Sequence, residues 1–195
     1  MSDEQRHQLR LEISRHAVRL FAVQGVAATS GEQIARAAGV SERTLWRHFA
    51  TKESCVDPLL TKMVDGFQAV LRAWPADVEL TEHLRAAYTP LLESSSGSEI
   101  KTALAVVRMT HAEPALRATY LMLRERSETT FAEVLADRAG VPPDTLEIRI
   151  RAAAINAALK VATDYLVHAN TEEDATPESL DQHRELIANA ISLVT

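Results

Sequence analysis

The chain has 195 residues, of which 46% are apolar and 25% charged, and its formal net charge is −6. This length fits one large or two small domains, and the apolar fraction is sufficient for a globular core. No stretch approaches 18 uninterrupted apolar residues, and the polar start M-S-D-E-Q lacks the apolar segment of a signal peptide, so we expect neither a membrane span nor a leader. The single cysteine, Cys55, excludes an intrachain disulfide and fits a reducing, cytoplasmic location.

The charge is unevenly distributed along the chain. Residues 1–52 contain eight Lys or Arg against five Asp or Glu, a balance of +3, whereas the remainder contains 13 against 22, a balance of −9. A net charge of −6 by itself argues against a nucleic-acid-binding protein. A basic end joined to an acidic body instead favours a protein that presents one face to DNA.

The apolar periodicity is helical along nearly the whole chain, which predicts an all-α fold. Gly25 is expected to close the first helix. A capping box, formed by Thr29 with Glu32 or by Ser30 with Gln33, is expected to start the second helix.

Later boundaries follow from the same signals. Ser41 is a good N-cap for a third helix, and Thr51 is expected to cap a long fourth helix that Pro75 ends. Five more helices are predicted over about residues 79–93, 99–110, 114–139, 144–169 and 176–192.

Residues 30–53 read S-G-E-Q-I-A-R-A-A-G-V-S-E-R-T-L-W-R-H-F-A-T-K-E and carry the most specific pattern. Leu45 and Phe49 are four residues apart and mark the buried face of the third helix. Gly39 supplies the positive φ that a tight corner needs. Together with the small Ala35, these residues have the spacing of a DNA-reading helix-turn-helix.

The run I-A-x-x-A-G-V-S-x-x-T-L-W-x-H-F-x-x-K-E, from Ile34 to Glu53, resembles the signature of the TetR family of bacterial repressors. Gly31 departs from that family, whose members usually carry an apolar residue early in the second helix. The resemblance implies a nine-helix architecture. It makes residues 1–50 a three-helix DNA-binding head and residues 51–195 a helical effector-binding and dimerisation body.

The outer face of the third helix is polar and cationic, as DNA contact requires. Arg43 is the best base-reading candidate because a guanidinium bonds bidentately to guanine, and a phosphate contact or an ion pair with Glu42 is the alternative. The resemblance assigns phosphate contacts to Trp46, His48 and Lys52, whereas capping alone also explains the hydroxyls at positions 29 and 30. The DNA-binding candidates are Thr29, Ser30, Ser41, Glu42, Arg43, Thr44, Trp46, Arg47, His48 and Lys52.

The resemblance also implies that the last two helices pair with those of a second copy in a four-helix bundle. The eighth helix is apolar around much of its circumference, which indicates partners on two sides, and its alanines allow close helix approach. Burial inside one subunit is the alternative. The dimer-interface candidates are Ala153, Ala154, Ala157, Ala158, Val161, Ile187 and Ile191.

The resemblance further implies an effector pocket among helices four to seven, and apolar side chains with a few polar anchors are typical of such pockets. For each candidate, ordinary core packing is the alternative. The expected effector is a small, mainly hydrophobic molecule. The pocket candidates are Met63, Phe67, Tyr88, Leu92, Met109, His111, Tyr120, Leu123, Ser127, Phe131, Asn156 and Thr163.

Catalytic and metal-site patterns are missing from the sequence. No two of the seven histidines are four residues apart, and there is no glycine-rich phosphate loop and no serine elbow. We therefore expect no metal, no cofactor and no enzymatic activity. For Cys55, an oxidant-sensing thiol of lowered pKa is the alternative to a plain half-buried thiol.

These patterns together predict a ligand-responsive repressor that binds palindromic double-stranded operator DNA as a homodimer and is released by its effector. Such a protein is cytoplasmic and is associated with the nucleoid when bound to DNA. One alternative is an all-helical small-molecule carrier or enzyme whose helix-turn-helix is merely structural. The other is an activator without a ligand.

Overall fold

The computed structural model describes residues 2–94, 97–169 and 177–194, without the side chains at 88–94, 97–101, 169, 177–180 and 183. Within these residues the fold is all-α, with no strand, which confirms the fold class predicted from periodicity. No helix in this part of the chain is long and apolar enough to cross a membrane. The α-helices are α1 (Asp3–Gln24), α2 (Gly31–Ala37), α3 (Glu42–His48), α4 (Asp57–Arg72), α5 (Leu80–Ser94), α6 (Gly97–Met109), α7 (Pro114–Ala139), α8 (Leu146–Ala169) and α9 (Pro177–Ser192), and a 3-10 helix spans Glu53–Val56.

The predicted corners of the N-terminal helices are confirmed. Gly25 and Gly39 have φ values of 82° and 66°, so both occupy the conformation that favours glycine. Of the two possible capping boxes, the chain forms the one between Ser30 and Gln33, in which each side chain accepts the backbone N–H of the other residue.

The start of the fourth helix differs from the prediction. Thr51 and Ser54 do exchange backbone-to-side-chain hydrogen bonds of 3.1 and 3.2 Å, but the residues that follow form the 3-10 helix, and α4 begins only at Asp57. Pro58 explains the difference. It has no N–H to donate to the carbonyl four residues earlier, so an α-helix cannot run through it from Ser54, whereas the first turn of a new helix tolerates it.

The chain divides into two compact units. The first comprises Met1–Lys62 with Thr102–Leu123, and the second comprises Met63–Lys101 with Arg124–Thr195. The first change of unit therefore falls after residue 62 rather than after residue 50, and the first unit includes a stretch that lies late in the sequence. A functional division after residue 50 remains a prediction.

The core of the second unit is built around the inward face of α8. Ile148, Ile155 and Leu159 are buried there, together with Ile187 and Ile191 of α9. The last two residues are at most 2% exposed, so they stabilise the subunit itself. Their assignment to a dimer interface is wrong, because α9 turns this apolar stripe towards its own core.

Candidate nucleic-acid interface and interior cavity

The third helix, α3, is held by two buried side chains and one cap. Leu45 and Phe49 are at most 4% exposed, and the Arg10 guanidinium lies 5.2 Å from the centre of the Phe49 ring, within cation–π range. Ser41 accepts the N–H of Thr44 at 3.1 Å and caps the helix as predicted. A helix of seven residues is not stable alone, so this burial determines which side chains face outwards.

Arg43 and Arg47 lie on the outward face and are both exposed. Neither side chain has a hydrogen bond or an ion pair with any residue that the structure describes, so the alternative of a Glu42–Arg43 ion pair is not formed there. An exposed guanidinium on a rigid helix retains its full set of donors for a bidentate partner.

Trp46 also lies on the outward face, with 43% of its surface exposed, so it is not a core residue. Its indole ring lies over the first residue of α2. A Cβ atom at Gly31 would be only 2.0 Å from Cζ2 of the ring. The departure from the usual apolar residue at this position therefore has a steric reason, which the sequence alone did not reveal.

His48 lies at the end of α3 and is only partly exposed. Its Nε2 atom is buried and has no hydrogen-bond partner among the described residues, so a phosphate contact by this imidazole would have to involve Nδ1. Burial lowers the pKa of His48 below its ordinary value of 6.5, and neighbouring positive charges lower it further, in decreasing order those of Arg47, Arg10 and Arg6. This direction favours the neutral imidazole at neutral pH.

Lys52 lies just before the 3-10 helix rather than inside α4. Its ammonium group donates to the carbonyl of Val26 at 2.7 Å and to that of Thr29 at 2.8 Å. Lys52 therefore fastens the loop between α1 and α2. A phosphate would have to take the third ammonium N–H or displace one of these carbonyls.

Thr29 is buried, which contradicts its place among the DNA-contacting residues. Its hydroxyl donates to the carbonyl of Gly25 at 2.8 Å and accepts from the side-chain amide of Gln24 at 3.1 Å. The side chain therefore stabilises the α1–α2 loop. The other hydroxyl candidates, those of Ser30, Ser41 and Thr44, lie at the starts of α2 and α3, where their hydrogen bonds are capping interactions.

Cys55 lies within the 3-10 helix and is fully buried. Burial, with smaller contributions from Asp57 and Glu53, raises the pKa of its thiol to about 12. A thiol that remains protonated at neutral pH is a poor nucleophile, so the structure favours the plain buried thiol over the oxidant sensor.

A small cavity lies inside the second unit. Its volume of about 20 Å³ holds roughly one water molecule. Phe67 and Phe131 meet edge to face at its wall, with ring centres 5.8 Å apart. The cavity is lined by Met63, Val64, Phe67, Arg124, Phe131, Leu159, Thr163 and Ile187.

Four of the twelve pocket candidates line this cavity, namely Met63, Phe67, Phe131 and Thr163. Ser127 and Asn156 are buried in the same unit but are not among the lining residues. His111 is exposed, which contradicts its assignment as an inward anchor. Met109, Tyr120 and Leu123 belong to the other compact unit, and the side chains of Tyr88 and Leu92 lie outside the described residues.

Arg124 is a lining residue that the sequence did not single out. It is 6% exposed and donates to the Asn156 carbonyl at 2.6 Å, while the Asn156 amide donates to the Arg124 carbonyl at 3.0 Å and to Glu128 at 2.8 Å. This reciprocal pair ties α7 to α8. On the sequence, Arg124 is indistinguishable from the exposed arginines of the same helix.

The opposite face of α8 carries an exposed apolar stripe. Leu146, Ile150, Val161 and Tyr165 are between 59% and 75% exposed, and Ala157 between them is also exposed. The predicted interface residues Ala153, Ala154 and Ala158 are partly exposed beside it. The signal in the sequence was the spacing of these four large apolar residues, which are 4, 11 and 4 positions apart. Such spacings return to the same face of a helix, so they indicate a second apolar face on α8.

Two stretches of the sequence match known protein families. Residues 13–59 match the family described as bacterial regulatory proteins, tetR family, and residues 78–192 match the MftR C-terminal domain. The transcriptional regulator TcmR of Streptomyces glaucescens is 30% identical over 171 residues, which cover 84% of this chain and 76% of that protein. The chain belongs to the TetR family of bacterial transcriptional regulators.

Two further comparisons concern a partial match in sequence and a likeness in fold. The transcriptional repressor KstR2 of Rhodococcus jostii is 33% identical over 113 residues, or 57% of this chain and 55% of that protein. A TetR-family regulator from Pseudomonas syringae has the same fold, with a TM-score of 0.56 and 24% identity, covering 98% of this chain and 96% of that structure. The relatives TcmR and KstR2 are both named as regulators of transcription. Their names fit the expectation that this chain is not an enzyme.

The hydrogen bonds of Lys52 generate a prediction about stability. Lys52→Ala removes the ammonium donor from two carbonyls of the α1–α2 loop, of which that of Val26 still accepts the Thr29 N–H at 3.2 Å. We therefore expect the free energy of unfolding to fall by about 1–3 kcal/mol. Arg47→Ala is the matched control, because it removes an exposed cation of the same head that has no described partner. Denaturant titration measures both, and equal stability of the two variants would contradict the structural role of Lys52.

His48 generates a prediction about pH. As the pH falls below 6.5, the unfolded chain binds a proton at His48 before the folded chain does, because the folded pKa is lowered. The His48-dependent part of the stability is therefore present above pH 6.5 and is lost as the pH falls towards the lowered pKa. His48→Gln should flatten this part of the stability curve between pH 7 and pH 5, measured by urea unfolding. A curve of unchanged slope in the variant would refute the assignment.

Proposed function

We propose that this TetR-family protein is a homodimeric repressor that binds a palindromic operator and is released by a small, mainly hydrophobic effector. The observation that carries the proposal is the outward face of α3, where Arg43 and Arg47 are exposed without described partners while Leu45 and Phe49 hold the helix rigid. A helix presented in this way suits the major groove of DNA. The name of KstR2, a transcriptional repressor, supports repression as the outcome.

The role of each side chain in the head follows from its chemistry. Arg43 reads a base, since a guanidinium pairs bidentately with guanine, whereas Arg47 and the Trp46 indole contact phosphates and determine the register. Lys52 acts mainly on the loop that it fastens. The balance of +3 over residues 1–52 favours contact between this end of the chain and the phosphates.

The exposed stripe of α8 supports the dimer. Large apolar side chains near both ends of one helix face, with the exposed Ala157 between them, are costly in a monomer, and soluble monomers rarely carry such a patch without a partner. Two copies that bury Leu146, Ile150, Val161 and Tyr165 against each other give two-fold symmetry. A two-fold dimer binds two half-sites related by the same symmetry, so the operator is palindromic.

The cavity in the second unit supports an effector site. Its wall combines Met63, Phe67 and Phe131 with two buried polar side chains, those of Arg124 and Thr163, a composition typical of ligand sites. At about 20 Å³ it admits an effector only when side chains such as Phe67 and Phe131 move apart. Phe67 lies on α4, the helix that follows the reading head in the chain, so this movement gives the effector a route to DNA affinity.

Arg43→Ala should lose about 1–3 kcal/mol of binding free energy on the preferred duplex and relax the base preference at one position per half-site. Selection from a random duplex library, followed by fluorescence anisotropy, supplies both measurements. Arg36→Ala is the control, because this exposed α2 arginine is already paired with Glu32 at 2.6 Å. An equal loss on selected and random duplexes would remove the base-reading role of Arg43.

Val161→Glu should convert the dimer to a monomer, because it introduces a charge into the apolar stripe of α8. Val23→Glu is the matched control, since Val23 is also exposed but lies on α1. Sedimentation velocity at micromolar concentration distinguishes the two. The proposed interface is wrong if both variants sediment like the wild type, or if the wild type is itself a monomer that binds one half-site tightly.

The effector prediction uses the apolar fluorophore 1-anilinonaphthalene-8-sulfonate as the probe. Linkage requires the selected operator duplex to weaken binding of the probe by the same factor by which the probe weakens the duplex, typically about 5- to 150-fold. Leu159→Trp, which fills the cavity, should abolish the competition without abolishing DNA binding. Probe binding that ignores the duplex, or that survives Leu159→Trp, would show that this cavity is not the effector site.

A further inference from the structure

The backbone conformation at Gly31 does not require a glycine. Gly31 is the first residue of α2, and its backbone does not have the positive φ found at Gly25, Gly39 and Gly140. Glycine inside a helix costs stability relative to alanine, because it loses more conformational freedom on folding. The reason for it must therefore lie in what approaches its Cα atom.

The Trp46 indole occupies that space. A Cβ atom at Gly31 would lie 2.0 Å from Cζ2, 2.6 Å from Cη2 and 3.0 Å from Cε2 of the ring. Carbon atoms that are not bonded to each other pack at about 3.5–4.0 Å. Any other residue at position 31 would therefore force the ring to move, and a half-exposed side chain can swing away without disturbing the core.

The ring edge that touches Gly31 includes Cε2, which is bonded directly to Nε1. The position of Gly31 therefore decides where the only hydrogen-bond donor of this side chain points. Within the described residues Nε1 of Trp46 has no acceptor, whereas Nε1 of Trp74 donates to the carbonyl of Val78 at 2.7 Å. The Trp46 donor is thus held in place by packing and is available to an external acceptor.

We propose that Gly31 is a positioning residue for DNA binding, which leaves the space that sets the Trp46 N–H against a backbone phosphate. The inference rests on the phosphate contact of Trp46 in the proposed function. It adds that the contact depends on two residues together, the bulky indole and the missing side chain beneath it. A small residue at 46 would leave the space above Gly31 empty, and a larger residue at 31 would displace the indole.

Gly31→Ala tests the proposal, because it inserts one methyl group into the space occupied by the indole. Binding to the selected duplex should weaken by roughly 10- to 150-fold, the effect of losing one hydrogen bond to a charged phosphate oxygen. Random duplexes should weaken by the same factor, since phosphates carry no sequence information. The salt dependence should not change, because the indole is uncharged and releases no counterion. The melting temperature should be unchanged or higher, since alanine favours the helix.

Two further readouts separate positioning from a structural defect. In a Trp74→Phe background, the fluorescence of Trp46 should shift to longer wavelength on Gly31→Ala as the ring moves into solvent. In a Trp46→Ala background, Gly31→Ala should have no further effect on DNA affinity, because there is no ring to displace.

Three outcomes would overturn the inference. The first is wild-type DNA affinity of Gly31→Ala, and the second is an equal loss with and without the indole. The third is wild-type affinity of Trp46→Ala for the selected duplex, which would remove the phosphate contact while leaving DNA binding itself intact. A wild-type protein that selects no duplex at all would instead show that the proposed function is wrong.

Discussion

Burial of one face of α3 is the constraint on which the reading head depends. The helix has seven residues and would not form alone, so Leu45 and Phe49 have to anchor it in the core of the head. Once these two side chains are inside, the helical repeat places Arg43, Trp46 and Arg47 outside without further instruction. The recognition surface is thus a consequence of packing, and a substitution that loosens Phe49 would displace every proposed contact together.

Hydrogen bonds that join distant parts of the sequence hold the anchor in place. Lys52 reaches back over more than twenty residues to the α1–α2 loop, where the Thr29 hydroxyl adds a further bond. Both residues resemble DNA contacts on the sequence, and both are used in the structure to hold backbone. A head stabilised in this way presents α3 as a rigid element, which lowers the entropic cost of binding.

The second unit meets a different demand, because α8 has apolar residues on two faces. One face forms the core with α9, and the other exposes Leu146, Ile150, Val161 and Tyr165. This division explains why Ile187 and Ile191 belong to the subunit core while Val161 remains exposed. The cavity lies against the core face, at Leu159 and Ile187, and the rings of Phe67 and Phe131 meet at its wall.

The sequence by itself determined the helices apart from the start of α4, the corner at Gly39, the cap at Ser41 and the family, because these depend on residues near one another in the chain. The structure chose the capping box of Ser30 with Gln33 over that of Thr29 with Glu32. Tertiary structure alone decided which polar side chains are buried or already hydrogen-bonded within the protein. It turned Thr29 inwards, engaged Lys52 with two carbonyls, covered Nε2 of His48 and raised the pKa of Cys55. It also explained Gly31, whose missing side chain is filled by an indole fifteen positions away. Burial and contact between distant residues leave no periodic signal along the chain, and they decide what each side chain is free to bind.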